Sequence, residues 1–215
     1  MKFTVIKPLN QIVPELTPEI KKSFMNVGRS ICPEFKIPDE IKETVLNLCL
    51  YFLGLESKLD SNRGIYLHGT YGIGKTTLLA TIRKWLASDM FPIKGNGFIS
   101  TSIEEIIDIY KREGNIERFM LNREDYNPGP RHLLINEYGK DIKDKIYGTE
   151  VNQIINSLLM RRYEIYQNHT KLTHVTSNFE PSESFGSNDP AIYDRIKEMF
   201  NVIELKGESF RKQEI

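Results

Sequence analysis

The chain has 215 residues, 40% of them hydrophobic, which suits one folded domain with a real core. Lys+Arg and Asp+Glu number 29 each, so there is no overall basic footprint for nucleic acid, and any such site must be a local patch. Cys32 and Cys49 stand in no metal-type pairing and MKFTVIKPLN opens without a long apolar run; together these predict a reduced, soluble, cytoplasmic protein with neither structural zinc nor a membrane span.

Residues 1–36 carry Pro8, Pro14, Pro18 and Pro33 and read as an N-terminal arm, with one short helix running from its N-cap Thr17 and first-turn Pro18 to about Val27. Residues 37–215 form the main domain. Ile41, Val45, Leu48, Phe52 and Leu55 recur at helical spacing and predict an amphipathic helix over 39–56. RGIYLH (63–68) is a short apolar run of strand type, whereas TTLLATIRKWLA (76–87) has the spacing of a helix. A strand at 96–101 and a helix at 102–112 follow, then a loop in NREDYNPGPR and a buried strand in HLLINEYG. The charged KDIKDKIYG reads as a loop before a long helix over 149–167, and KLTHVTSNF as another strand. A helix at 191–199 and a strand at 201–205 close the chain. Strands alternating with helices predict an α/β domain whose parallel sheet is covered on both faces.

Between the 63–68 strand and the 76–87 helix stands GTYGIGKT, which fits the phosphate-binding P-loop at every fixed place: Gly69, four free positions, then Gly74, Lys75 and Thr76. In such a loop successive backbone N–H groups point at the β- and γ-phosphates, so glycine is needed where a side chain would block approach. Lys75 is expected to bridge those phosphates and Thr76 to offer its hydroxyl to Mg²⁺ at the first turn of a helix whose dipole favours the anion. Gly72 and Thr77 complete the expected ATP-binding set.

A nucleotide hydrolase also needs a carboxylate at the end of a neighbouring strand to hold the magnesium water shell, and a group that orients the attacking water. Asn136 and Glu137 occupy that place after Leu133, Leu134 and Ile135. Asn136 can accept from a metal-bound water through its amide oxygen but adds no charge, so metal affinity and hydrolysis are expected to be weak; Glu137 is the expected catalytic base. Asn178, at the C-terminal end of the strand in THVTSNF, lies on the edge where ligands gather in open α/β sheets, and its amide suits the γ-phosphate or the lytic water.

With these residues placed, the chain resembles the AAA+ ATPases of the helicase-loader family typified by DnaC, and the related transposition helper IstB, from about Phe35 to Arg211. The resemblance rests on the P-loop, on INEYG where the family has an acidic pair, and on RRYE (161–164), THVTSNF, YDRI and GESFR in the family's order. It implies an AAA+ P-loop fold, with Asn178 the sensor residue and Arg195 an arginine finger reaching into the neighbouring subunit of a homo-oligomer. Arg211 would lie near the nucleotide or the subunit interface. A helicase or transposase partner is implied, although only a short arm stands where loaders often carry a helicase-binding domain. The chain also ends soon after the last strand, so no separate lid domain is expected.

The resemblance further implies single-stranded DNA, for which Lys111, Arg112, Arg118 and Arg123, interleaved with Tyr110 and Phe119, are the local candidates. Acidic Glu104, Glu105, Asp108, Glu113 and Glu117 share that segment, so a solvated helix face is the competing reading. Two functions follow: an AAA+ ATPase that loads or remodels a replication or transposition complex on DNA, or a nucleotide-dependent assembly switch that hardly hydrolyses ATP. A small-molecule P-loop kinase fits less well, because FEPSESFGSNDP holds no arginine-rich lid.

Overall fold

The runs GIYLH and HLLINEY carry apolar residues on both alternations, as strands buried on both faces do; THVTS is buried throughout although only Val175 in it is apolar, and each of the three forms a strand of one parallel sheet. The structure is a computed structural model that describes residues 16–88, 97–120, 131–139, 145–185 and 190–210. In chain order the sheet strands are β1 (Gly64–His68), β2 (Phe98–Ser102), β3 (His132–Tyr138), β6 (Thr173–Ser177) and β7 (Phe200–Glu204), arranged β2-β3-β6-β1-β7. A short antiparallel hairpin, β4 (Lys145–Ile146) and β5 (Thr149–Glu150), stands apart from them.

The register decides where the site lies. Leu67 pairs with Thr176, so the chain leaving β1 at His68 emerges beside Ser177 and Asn178. On the other side of β6, Ile135 pairs with Val175 and Tyr138 with Ser177, with an irregularity between them. The C-terminal ends of β1, β3 and β6 therefore share one edge, where ligands gather in open α/β sheets.

Two compact units make up the described chain, and the division falls within α3 (Lys75–Leu86). One holds residues 16–61 and 77–88, with α1 (Pro18–Ile31), α2 (Lys42–Phe52) and most of α3. Thr17 caps α1, its hydroxyl accepting from Ile20 N, and the Phe24 ring packs edge-on to Trp85 at 5.1 Å and Phe35 at 6.0 Å. The other unit contains the sheet, α4 (Ile103–Glu113), α5 (Val151–His169), α6 (Pro181–Phe185) and α7 (Pro190–Met199). Ile106 of α4, Leu158 of α5 and Ile196 of α7 join Leu133, Ile135 and Val175 in one apolar core. Ser102 caps α4 through Glu105 N, and Gly114 ends it in the left-handed region.

Most predicted elements appear within a few residues of their expected bounds. The helix expected over 39–56 is shorter: a 3₁₀ turn at Asp39–Ile41 precedes α2, which ends before Gly54 turns the chain at φ 69°. The stretch read as a charged loop holds β4 and the turn after it, β5 takes the first two residues of the expected long helix, and α6 was not expected. The predicted loop at 122–131 falls almost wholly outside the described residues. Cys49 is buried, as a packing residue should be, and burial pushes its thiol up to about 12.

At the N-terminal edge of β3 and β6 lies a fully buried cation, Arg162 of α5. Its guanidinium donates to Thr173 Oγ1, Phe119 O, Arg131 O and Leu172 O at 2.8–3.4 Å, so carbonyl and hydroxyl dipoles solvate the charge. Two histidines nearby serve as acceptors and so are neutral: His174 Nδ1 takes Ile65 N at 3.1 Å and His132 Nδ1 takes Leu172 N at 3.0 Å. Burial, then neighbouring positive charge including Arg162, holds His174 at about 3 and His132 at about 4, against an ordinary 6.5. The unfolded chain takes up these protons first as pH falls, so their contribution to stability is complete above pH 6.5 and lost on descent toward 4 and 3. Thermal midpoints measured across a pH series should fall below pH 6.5, and the double variant His132→Gln/His174→Gln should show a flatter slope over the same window.

Candidate functional site

After His68 the chain cannot continue as a strand. Gly69 takes φ 145°, Gly72 79° and Gly74 89°, conformations that side chains resist, and the loop folds over the start of α3. A Cβ built on Gly69 would lie 2.4 Å from Leu205 O, a clash with backbone that no side-chain movement relieves. The loop encloses Lys75, which is only 7% exposed, and its ammonium donates to Gly69 O and Thr70 O at 2.8 Å and to Asn178 Oδ1 at 2.7 Å. P-loop lysine and the expected sensor are thus in direct contact, brought there by the β1–β6 pairing. That contact turns the donor end of the Asn178 amide away from the ammonium. Thr76 follows on the first turn of α3 with its side chain exposed; Thr77 is half-buried and its carbonyl accepts from Thr81 Oγ1.

At the end of β3 the chain bulges. Glu137 is exposed and left-handed at φ 60°, a conformation that costs a side-chain-bearing residue about 1 kcal/mol and is found where structure serves a site. It is held by its own N–H, which donates to Thr176 Oγ1 at 3.1 Å. Thr176 Oγ1 in turn donates to Asn136 Oδ1 at 3.2 Å, while Asn136 Nδ2 donates to Ser100 Oγ at 2.9 Å and Thr101 O at 3.2 Å. Asn136 thereby laces β2, β3 and β6 together through both ends of its amide. One lone pair of Oδ1 remains for a metal-bound water, since a carbonyl oxygen carries two.

Two features of this edge carried little sequence signal. Thr176 is the hydroxyl that joins Asn136 to the Glu137 backbone, and nothing in the sequence separates it from the other polar residues of THVTS. The segment after β7 returns along the P-loop: Leu205 N donates to His68 O at 2.7 Å, Phe210 N donates to Gly72 O at 3.0 Å, and the Phe210 ring lies 3.6 Å from where a Gly74 Cβ would be. Only the GESFR motif, which the resemblance put near the nucleotide or the subunit interface, pointed to this return.

Other expected residues lie elsewhere. Arg195 is exposed on α7, its guanidinium 5.5 Å from the Tyr163 ring centroid and donating to Met160 Sδ of α5. Lys111 and Arg112 are exposed at the end of α4 and Tyr110 is half-buried. Phe119 is 5% exposed, packed in the core, and so offers no face for a base to stack on. Arg123 and Arg211 fall outside the described residues. No group of three or more His, Cys, Asp or Glu side chains among the described residues could hold a metal, and no described helix is long and apolar enough to cross a membrane.

The parallel sheet flanked by helices, with a P-loop leaving β1 beside Asn178 at the end of β6, has the fold of AAA+ P-loop domains. Solved structures bear the same fold: DnaI (TM-score 0.56, 19% identity, covering 85% of this chain and 93% of that one) and the DnaC helicase loader (0.56, 17%, 86% and 99%). AMPPCP-bound DnaA from Aquifex aeolicus is also similar, at a TM-score of 0.51 and 17% identity over 80% of this chain and 48% of that one. No protein-family profile matches the sequence, and no curated protein matches it.

Two substitutions test the edge. Glu137→Gly relieves the left-handed strain, so the folded protein should hold its thermal stability or gain about 1 kcal/mol. Asn136→Asp replaces the donor facing Thr101 O by a carboxylate oxygen and should cost about 1–3 kcal/mol in a denaturant titration.

Proposed function

We propose that this chain is an ATP-binding AAA+ protein that assembles on DNA to load or remodel a replicative helicase or transposition complex, with slow hydrolysis. The observation that carries the reading is the buried Lys75 ammonium, bonded at once to the P-loop carbonyls and to Asn178. A glycine-rich loop wrapped around an ammonium fits a polyphosphate: the lysine can exchange loop carbonyls for phosphate oxygens of higher charge. The likeness to DnaI, to the DnaC helicase loader and to DnaA in its AMPPCP-bound form supports ATP as the ligand and helicase loading as the task.

Lys75 and the backbone of Gly69, Gly72 and Gly74 would hold the phosphates, with Thr76 and Asn136 toward Mg²⁺. The ion supplies charge that offsets the phosphates. Glu137, set at the strand end by its bulge, would accept the proton of an attacking water, and Asn178 would orient that water or the γ-phosphate. Arg195 sits on an exposed helix face, as a group that acts on a neighbouring subunit must.

A second reading, a nucleotide-dependent assembly switch with little hydrolysis, is favoured by Asn136. Its amide is engaged with Ser100, Thr101 and Thr176 and contributes no negative charge at the position where the metal shell is usually anchored. Turnover distinguishes the two: Glu137→Gln should lower ATP hydrolysis about 100-fold or more while sparing ATP binding, and wild-type turnover no faster than that of the variant selects the switch.

ATP titration of Lys75→Ala should show tight binding abolished with the fold intact; unchanged affinity would remove the basis of the nucleotide site. Arg195→Ala should bind ATP but turn it over poorly. Mixed with Lys75→Ala it should recover part of the activity, because each chain supplies the intact half of a composite site. Hetero-oligomers that form without recovering activity would show that Arg195 does not act across subunits.

A further inference from the structure

The hairpin between β4 and β5 carries Tyr147, which at 75% exposed is the most solvent-accessible large apolar or aromatic side chain among the described residues. Ile146 pairs with Thr149, so Tyr147 and Gly148 are the two central residues of the turn, at φ 50° and 83°. A two-residue turn with both φ values positive favours Asn-Gly, in which the first side chain is small, polar and tolerant of the left-handed region. Tyrosine is a poor choice on both counts: it strains the backbone and leaves a large ring in water. Local rules broken together at one exposed residue mark a site where function outweighs stability.

The ring is nevertheless fixed in place. Its phenol donates to Lys111 O, a carbonyl in the last turn of α4, and its centroid lies 6.4 Å from that of Tyr110, with 52° between the ring planes. Cations flank the pair: Lys111 and Arg112 are exposed at the C-terminal end of α4, and the Lys145 side chain, at the start of the hairpin, is 64% exposed. Glu113 lies 3.7 Å from Arg112 and Glu150 3.9 Å from Lys145, but these are long pairs in water, weak enough to yield to a phosphate. Among the described residues the exposed aliphatic ones, Ile31 and Val202, belong to other elements, so no described aliphatic side chain gives the patch the apolar surround of a protein-docking core.

We infer that Tyr147, together with Tyr110 and the cations Lys111, Arg112 and Lys145, is a stacking platform for single-stranded nucleic acid. Bases present π-faces to pre-set rings while the backbone runs past exposed cations, the pattern of sequence-tolerant single-strand binding. The inference rests on the proposed assembly on DNA and names the residues that make the contact. Tyr147 takes the role that buried Phe119 cannot fill.

The decisive variant is Tyr147→Asn, which suits the turn and removes only the ring. Binding is read by fluorescence anisotropy with a labelled oligo-dT of about 16 nucleotides, using the full chain with ATP at two salt concentrations. Tyr147→Asn should bind about 5- to 100-fold more weakly, the effect of losing one stacked base, with its thermal midpoint held or raised. Tyr147→Phe, which keeps the ring and loses its tether, should fall between the two, and Lys145→Gln should weaken binding and lessen its salt dependence. If wild type binds and Tyr147→Asn binds equally well, the platform is overturned while assembly on DNA stands. No oligonucleotide binding by wild type overturns both, though an intact ATP site would still leave the switch reading. Loss of self-association in Tyr147→Asn, without any oligonucleotide binding by wild type, would make the hairpin a protein interface and likewise overturn the platform.

Discussion

An ammonium withdrawn from water needs acceptors for all three of its protons, and the arrangement of this sheet edge follows from how Lys75 meets that need. Two carbonyls come from the loop the lysine itself closes, and the third acceptor comes from Asn178, about a hundred residues later. The third bond exists only because β6 lies beside β1 in register, so sheet order and loop conformation are parts of one requirement. A loop that merely turned the chain would leave the charge to solvent. This one folds around it.

The opposite end of the same strands solves a similar problem without any nucleotide. Arg162 places a fixed charge among backbone carbonyls and one hydroxyl at the starts of β3 and β6 and on the segment after α4. Losing the guanidinium would take a donor from each of those carbonyls, although Leu172 O would keep Leu133 N at 3.0 Å. Polar networks thus pin the strands at both ends: Arg162 at one, Asn136 and Thr176 at the other. The second network sits where chemistry is proposed, so the amide proposed to face the metal also serves strand cohesion.

Much of this was legible in the sequence because it is local or periodic. The P-loop announces itself by glycine spacing, β1 and β3 by unbroken apolar runs, and α3 by the helical spacing of its apolar residues. What escaped has physical reasons. Strands of two residues, as in β4 and β5, are too short to show a period. The partners of Asn136 lie 36 and 40 residues away, so sequence could mark its polarity and not its lateral bonds to Ser100 and Thr176. Phe119 read as an exposed platform from its charged neighbours, yet it turns into the core beside Met120. Tyr147 went unmarked because only its dihedral angle distinguishes it from an ordinary loop tyrosine.

Gly69 leads to a conclusion about descent. The carbonyl of Leu205 stands where its side chain would be, so the chain's own backbone forbids any other residue there, whether or not a phosphate ever arrives. A descendant that stopped binding nucleotide would shed Lys75 and Thr76 long before it could shed this glycine, because only the glycine is required for β7 to close against the loop. Among related chains, then, the first residue of the signature records shared architecture, and its survival in a degenerate copy says nothing of activity. The lysine is the residue whose loss would date the end of the proposed nucleotide binding.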